Sequence, residues 1–291
     1  MMADKRFSDI LTRVVAELTD PQSCKELSHQ YCDGEPLPSL ADLNEIIELC
    51  RAVLFPGYFG YSHVTNHTIG FHTGVNIERL HDKLSRQILA ALYFDKRKEA
   101  AHDHASEISA RFVESLPQIR QQLATDVVAA YEGDPAATSY GEVISCYPVI
   151  RALSNYRVAH QLHLLGVPLI PRIITEMAHS ETGIDIHPAA TIGNYFTIDH
   201  GTGVVIGATS IIGDHVKLYQ GVTLGAKSFP LDAQGNPIKG IDRHPILEDN
   251  VIVYSNSTIL GRITIGRDAV IGGNVWVTED VAPGTKVLQK R

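Results

Sequence analysis

Two short stretches of the sequence combine the residue types needed for proton transfer and for binding a charged small molecule. The first is IDHGTGV, in which Asp199 precedes His200, and the second is DRHP, which contains Asp242, Arg243 and His244. An imidazole exchanges its proton near neutral pH, and a carboxylate beside it can fix its tautomer. A lone Asp–His pair in a turn is usually solvated, so the interpretation of these residues depends on the elements that position them.

Those elements are expected to be the short strands of a six-residue repeat. Alternate residues of a strand share a face, and inward-facing pairs step by six residues through most of the region 184–277. The pairs are Ile184/Ile186, Ala190/Ile192, Phe196/Ile198, Val204/Ile206, Ser210/Ile212, Val216/Leu218, Val222/Leu224, Pro245/Leu247, Val251/Val253, Ser257/Ile259, Ile263/Ile265, Ala269/Ile271 and Val275/Val277. A period of six suits one strand and one corner, and stacked triangular coils of three such units form a parallel β-helix. An ordinary β-sandwich has turns about every 8–12 residues and no fixed hexad.

The repeat is interrupted twice, and each interruption contains one of the two stretches. The step from residue 198 to residue 206 is eight, so two extra residues accompany the first stretch. The step from residue 224 to residue 247 is 23, which can be divided as six plus 17 or as 12 plus 11. Loops on rigid scaffolds commonly carry binding and catalytic residues, so we expect the functional site at these interruptions.

The composition changes near residue 181. Residues 181–291 contain 15 of the 23 glycines, whereas residues 1–180 carry apolar residues at helical spacing in four segments. These segments are 39–55, 75–94, 110–131 and 147–166. The sequence therefore predicts a mostly helical domain over 1–180, followed by a β-helix over 181–291 with an inserted loop at 226–243.

Composition also excludes several classes of protein. The net charge of −8 disfavours a nucleic-acid partner, which would require a basic surface. The sequence has no apolar run of the ~20 residues that span a bilayer and no signal peptide at its start. The four cysteines, Cys24, Cys32, Cys50 and Cys146, have no CxxC spacing and form neither a disulfide framework nor a zinc site. We therefore expect a soluble, cytoplasmic protein that binds no membrane.

Three strings on this scaffold, DIHPAA (185–190), DHGTG (199–203) and DRHP (242–245), resemble the serine O-acetyltransferase family. The resemblance covers roughly residues 120–285. It implies a left-handed parallel β-helix of hexapeptide repeats after an all-α domain. It also implies transfer of the acetyl group of acetyl-CoA to the hydroxyl of L-serine, the first step of cysteine biosynthesis. Acetyl-CoA would be a co-substrate in a groove between neighbouring chains, with no permanently bound cofactor, and the chain would form a homotrimer or a hexamer.

The resemblance also implies roles for individual residues. His200 would be the general base, and Asp185 would orient it. His244, with Arg243, would bind the amino-acid carboxylate or the developing oxyanion. Two carboxylates, Asp134 and Asp199, would bind the substrate ammonium group. The CoA groove would be lined by Gly225, Ala226, Lys227, Ser255 and Gly273.

The sequence departs from the family pattern at three places. The first ~65 residues have no counterpart in that pattern. The loop 226–243 is longer than the compact glycine-rich loop of well-known members. The sequence ends in KVLQKR, without the terminal isoleucine that many members insert into O-acetylserine sulfhydrylase. We therefore expect no tight sulfhydrylase complex of that kind.

Three other functions are compatible with a hexapeptide β-helix. The first is an acetyltransferase acting on another hydroxyl acceptor, such as a sugar. The second is a zinc-dependent β-helix hydratase; its candidate ligands, His187, His200, His215 and His244, are spaced by 13, 15 and 29 residues with no close pair. The third is a non-catalytic scaffold, which the two interruptions of the repeat disfavour.

Overall fold

The computed structural model describes residues 2–20, 22–23, 37–60, 64–95 and 101–289. The chain divides into two compact units, residues 1–36 and 37–291. The first contains helix α1 (Met2–Thr19), which exposes apolar side chains such as Phe7 and Leu18. Cys24 and Cys32 lie outside the described residues. Cys50 is buried, Cys146 is exposed, and both are free thiols.

The second unit begins with six helices in its described part. They are α2 (Leu40–Leu54), α3 (Ile69–Phe94), α4 (Ala101–Gly133), α5 (Tyr140–Cys146), α6 (Pro148–Leu164) and α7 (Ile170–Thr182). The Ser39 side chain caps α2 by accepting a hydrogen bond of 3.2 Å from the backbone N–H of Asp42. Helices α2, α3, α4 and α6 bury apolar side chains in a shared core. Among the described residues, no helix is both long and apolar enough to cross a membrane.

Short strands follow the helices and wind into a three-sided parallel solenoid. The strands are β1 (Asp185–Ile186), β2 (Thr191–Ile192), β3 (Thr197–Asp199), β4 (Val205–Ile206), β5 (Ile211–Ile212), β6 (Lys217–Tyr219), β7 (Thr223–Gly225), β8 (Ile246–Leu247), β9 (Ile252–Val253), β10 (Thr258–Leu260), β11 (Thr264–Ile265), β12 (Val270–Ile271), β13 (Trp276–Val277) and β14 (Lys286–Val287). The first sheet has the order β1-β4-β7-β10-β13, the second β11-β8-β5-β2, and the third β14-β12-β9-β6-β3.

The predicted hexad pairs form the interior of the solenoid. All of them are buried except Ile263 and Val275, which are partly exposed and pack against the same core. Each coil stacks its aliphatic side chains on those of its neighbours, and this burial stabilises strands too short to persist alone. The predicted fold class, a helical region followed by a parallel β-helix of hexapeptide repeats, is confirmed.

The two interruptions of the repeat lie at different corners of the solenoid. The first falls between β3 and β4, where the chain passes from the third sheet to the first. The second follows β7, and β8 pairs with β5 in the second sheet. The strand after the long loop therefore occupies the very next side of the same coil. The step of 23 residues is therefore one ordinary hexad of six plus 17 extra residues, and the loop extends a single corner of the coil.

A buried ion pair attaches the helices to the first coil. The Nη2 atom of Arg157 on α6 lies 3.0 Å from the Oδ1 atom of Asp126 on α4. The guanidinium group also donates to the carbonyls of Ile192 and Gly193, at 2.7 and 2.6 Å. The same carboxylate accepts the backbone N–H of Phe196. Because β2 is the edge strand of the second sheet, the two bonds from Arg157 satisfy carbonyl groups for which that sheet has no further strand.

Candidate functional site

His200 occupies the corner that the two extra residues enlarge. It follows β3 directly, has a φ angle of 58°, and exposes 78% of its side chain. Gly201 comes next with a φ angle of 98°, and a Cβ atom there would lie 2.5 Å from Ile184 Cδ1. The corner therefore folds tightly against the start of the first coil and directs the imidazole outward. Only glycine at position 201 permits this close approach.

A cavity of about 280 Å³ beside this corner collects several polar side chains. It is lined by Asp199 and His200 from the corner and by Asp134 from the segment after α4. The structure therefore brings together three residues that were predicted to act on the substrate. Tyr147 and Lys217 also line the cavity and were not found by sequence reasoning.

Asp134 is held in place as an ionised carboxylate. Its Oδ2 atom accepts a hydrogen bond of 2.6 Å from the Tyr147 hydroxyl, and Oδ1 accepts one of 2.8 Å from the Ala136 backbone N–H. These two hydrogen bonds are the main reason that the pKa of Asp134 is lowered. The carboxylate in turn raises the pKa of Tyr147 to about 12, chiefly through the same hydrogen bond. Asp134 is therefore suited to bind a cation.

Lys217 bridges the helical region and the corner. Its Nζ atom lies 3.3 Å from Asp199 Oδ2 and donates a hydrogen bond of 2.7 Å to the carbonyl of Gly133. Burial acts to lower the pKa of Lys217, but hydrogen bonds to Tyr219 and Asp199 outweigh it and the pKa is raised. Lys217 lies one coil after Asp199, because its strand β6 pairs with β3 and places Lys217 opposite Thr197, 20 positions earlier in the sequence. Aligning the coils by the hexad would have identified this neighbour of Asp199.

Asp185 contacts a different partner from the one expected. Its Oδ1 atom lies 3.7 Å from Arg172 Nη1. Across the described ranges, neither a hydrogen bond nor an ion pair joins Asp185 to His200, and the nearest carboxylate to that imidazole is Asp199, at 3.9 Å. Ile184, the residue before Asp185, packs against Gly201 in the corner that carries His200.

His244 lies at the other interruption, and its side chain is largely buried. Its Nδ1 atom accepts a hydrogen bond of 3.1 Å from the Thr209 backbone N–H and lies 2.9 Å from the Thr209 hydroxyl. A neutral ring with Nδ1 as acceptor carries its proton on Nε2. Burial is the main cause of the lowered pKa of His244, and the positive charges of Arg243 and Arg262 add to it. The ring packs on Gly207, where a Cβ atom would lie 2.2 Å from Nε2.

Arg243 presents a positive charge next to His244. Its guanidinium group lies 5.7 Å from the centre of the Phe229 ring in the loop 226–243. Its Nε atom is buried and has no hydrogen-bond partner among the described residues. A buried donor without a partner is costly, and an anionic ligand would satisfy this one.

The polar residues around His200 and those around His244 lie at opposite ends of the strands of the first sheet. His200 precedes β4, at the corner where the chain enters that sheet, whereas His244 precedes β8, at the corner where the chain has left it. In one chain, a strand of the first sheet therefore separates the two histidines.

The positions predicted for the CoA groove are divided in the same way. Gly225 and Lys227 lie beside Gly261, whose N–H donates a hydrogen bond of 3.0 Å to the carbonyl of Gly225; Ala226 lies between them in sequence. Ser255 and Gly273 are neighbours at the opposite ends of these strands. A Cβ atom on Gly273 would lie 3.3 Å from the Ser255 carbonyl oxygen.

The histidines considered as zinc ligands do not converge in one chain. His187 and His244 follow strands of the first sheet, His200 precedes that sheet, and His215 precedes β6 with its ring stacked on Tyr195 at 4.4 Å. Within the described part of the chain, the group of side chains close enough to share a metal is Glu176, His179 and Asp185. Arg172 forms ion pairs with Glu176 and Asp185 and so offsets part of the negative charge of this group.

Comparison with known proteins agrees with this architecture. Residues 244–279 match the family described as bacterial transferase hexapeptide (six repeats). A protein from Synechococcus elongatus named serine acetyltransferase, plasmid, is 47% identical over 97% of this chain and 90% of its own length.

Solved structures show the same relationship. Serine acetyltransferase isoform 3 from Entamoeba histolytica, in complex with cysteine, has a TM-score of 0.74 and 34% identity, over 91% of this chain and 85% of that one. Serine acetyltransferase from Neisseria gonorrhoeae, in complex with serine, has a TM-score of 0.56 and 27% identity, over 87% of this chain and 96% of that one. Because the chain is 47% identical to one such relative over nearly its full length and has the same fold as the solved structures, it belongs to the serine acetyltransferase family.

Proposed function

We propose that this enzyme transfers the acetyl group of acetyl-CoA to the hydroxyl of L-serine, giving O-acetyl-L-serine and CoA. The observation that carries the proposal is the cavity in which His200 lies with two carboxylates, Asp134 and Asp199. A zwitterionic acceptor suits such a site, because its ammonium group can bind the carboxylates while its hydroxyl meets the imidazole. The bound serine and cysteine of the two related structures are acceptors or analogues of this kind.

His200 is the proposed general base. Its imidazole accepts the hydroxyl proton of serine while the hydroxyl oxygen attacks the thioester carbonyl carbon of acetyl-CoA. The tetrahedral intermediate collapses with loss of the CoA thiolate, which takes the proton back from the imidazolium. Asp185 is proposed to orient His200 in the working enzyme, and its support is the packing of Ile184 against the corner that carries the base.

Arg243 and His244 are the proposed anion-binding pair. The buried Nε atom of Arg243 lacks a partner in the described structure, and the neutral ring of His244 carries a proton on Nε2. Both are donors, so they suit the carboxylate of serine or the oxyanion that forms on the thioester carbonyl.

A complete site is proposed to require two copies of the chain in a homotrimer, and two trimers would form the hexamer. The support is that His200 and His244 lie at opposite ends of the strands of the first sheet. Two of the predicted CoA positions lie at the end with His200 and three at the end with His244. Acetyl-CoA would then lie between two copies of the chain. One copy would contribute the strand ends near Ser255 and Gly273, and the next would contribute those near Gly225, Ala226 and Lys227.

Mixing two inactive variants tests this arrangement. We expect His200→Ala and His244→Ala to lose most activity separately. After unfolding, mixing and refolding in equal amounts, random trimers should regain roughly a quarter of the wild-type activity, because one interface in four would combine both histidines. If both histidines act within one chain, mixing restores nothing, and the two-copy site is wrong.

A further inference from the structure

The side chain of Thr209 joins three groups at the end of the long loop. Its Oγ1 atom lies 3.0 Å from the backbone N of Arg243, 3.1 Å from the backbone N of His244 and 2.9 Å from His244 Nδ1. A hydroxyl accepts two hydrogen bonds and donates one. The two backbone N–H groups use its acceptor sites, so its own proton is directed to the imidazole.

The backbone of Thr209 acts on the same ring nitrogen. Its N–H lies 3.1 Å from His244 Nδ1, so this nitrogen faces two donors and carries no proton of its own. Arg262 fastens the two segments further, because its Nη1 atom donates to the carbonyls of Thr209 and His244 at 2.6 and 3.0 Å. Gly207 supplies the flat surface on which the ring rests.

We propose that Thr209 is a positioning residue that fixes His244 as an Nε2–H donor and anchors the end of the loop 226–243. The inference rests on the proposed function, in which His244 donates to the substrate carboxylate or to the oxyanion. Thr209 belongs to the coil that precedes the loop, so the anchor is part of the rigid solenoid. The loop can therefore be long without displacing the two residues that end it.

Two substitutions separate the hydroxyl from the rest of the side chain. Thr209→Val keeps the shape and removes Oγ1, whereas Thr209→Ser keeps Oγ1 and removes the methyl group. With L-serine and acetyl-CoA, we expect Thr209→Val to lower kcat roughly tenfold or more, since it leaves two backbone N–H groups and one ring nitrogen with a missing partner. Thr209→Ser should keep a kcat close to that of the wild type, and the KM for acetyl-CoA should change little in either variant.

A spectroscopic measurement tests the same point independently of turnover. In wild-type protein labelled with 15N-histidine, the signal absent from His244→Asn should show a protonated Nε2 and an unprotonated Nδ1. In Thr209→Val one of the two donors to Nδ1 is lost and the backbone N–H remains, so the fraction of the Nδ1-protonated tautomer should rise above that of the wild type. A protonated Nδ1 in the wild type would overturn the inference, as would equal kcat values in the wild type and Thr209→Val, or equal losses in the valine and serine variants.

The outcome also distinguishes this inference from the proposed function. If His244→Asn loses turnover while Thr209→Val keeps it, the positioning role fails and the role of His244 stands. If His244→Asn keeps wild-type turnover, the proposed role of His244 is itself wrong.

Discussion

The ammonium group of Lys217 lies 3.3 Å from the carboxylate of Asp199, on the surface where the substrate ammonium group is proposed to bind. The same cavity contains Asp134, so a fixed cation already stands among the groups proposed to attract the substrate. Lys217 also donates to the Gly133 carbonyl and so connects α4 to the solenoid. Its charge and its hydrogen bond can be separated by mutation.

Replacing Lys217 with glutamine should lower the KM for L-serine roughly threefold, because a like charge no longer opposes the substrate ammonium group. Glutamine can still donate to the Gly133 carbonyl, so the fold and the KM for acetyl-CoA should not change. Steady-state kinetics with each substrate varied in turn provide the measurement. A raised KM for serine would show that Lys217 holds Asp199 in its working position.

Replacing His200 with alanine should lower kcat by roughly 10²- to 10⁴-fold, as expected when a general base is lost. The imidazole is largely exposed, so its removal should leave the fold and the oligomer intact. Turnover is measured on protein whose oligomeric state has been checked by size-exclusion chromatography. Near-normal turnover in an intact oligomer would exclude His200 as the base.

Replacing Arg243 or Asp134 with alanine should weaken the use of serine without affecting acetyl-CoA. For the buried guanidinium of Arg243, loss of a desolvated charged partner costs about 2–5 kcal/mol, or roughly 30-fold or more in kcat/KM for serine; Asp134→Ala should lower the same kcat/KM. Asp134 is the sharper case, because it lies in the segment after α4, outside the solenoid. Wild-type serine kinetics in both variants would contradict the proposed recognition of an amino acid.

Replacing Arg157 with alanine should destabilise the protein strongly, because it leaves the buried charge of Asp126 unpaired at the start of the solenoid. Breaking a buried ion pair typically costs about 3–5 kcal/mol. Arg267→Ala is a matched control, since Arg267 pairs with Asp249 at 3.2 Å on the surface, where loss costs about 1 kcal/mol or less. Denaturant unfolding at one fixed protein concentration compares the two variants, and equal costs would show that the buried pair is not the attachment described here.

His187 should make the folded protein sensitive to acid. Burial is the main cause that lowers its pKa to about 4, and the charge of Arg172 adds to the effect. Below pH ~6.5 the imidazole of His187 takes up a proton in the unfolded chain but not in the folded chain. The free energy of unfolding therefore carries no penalty from His187 above that pH and falls as the pH approaches 4. His187→Asn can still accept the Ala189 N–H that bonds to Nδ1, but it does not titrate. Its free energy of unfolding should therefore fall less than that of the wild type between pH 6.5 and 4, and parallel curves would contradict the assignment.

The hexad predicted the interior of the solenoid because strand alternation is a local property. Nearly all residues assigned inward are buried, including the small polar pair members Ser210 and Ser257. The division of the long step could not be predicted, because the length of a loop does not determine which sheet the next strand joins. That outcome depends on the pairing of β8 with β5.

The site was predictable where its residues are adjacent in sequence or are implied by the resemblance to the family. Asp199, His200 and Asp134, all of them proposed from the sequence, line one cavity. Lys217 was missed because only the register between coils brings it to Asp199. Tyr147 and Thr209 were missed because a single hydroxyl has no distinctive sequence signal, and its role depends on tertiary contacts.

Release of CoA thiol in the presence of different acceptors tests the central claim most directly. The panel is L-serine, ethanolamine, which lacks the carboxylate, 3-hydroxypropionate, which lacks the ammonium group, and a hexose. We predict the highest kcat/KM for L-serine, with O-acetyl-L-serine as the product identified by mass spectrometry. We also predict that Arg243→Ala lowers the ratio of kcat/KM for L-serine to kcat/KM for ethanolamine. Asp134→Ala should lower the ratio of kcat/KM for L-serine to kcat/KM for 3-hydroxypropionate. A higher kcat/KM for the hexose than for L-serine would contradict the account and leave only an acetyltransferase with a different acceptor.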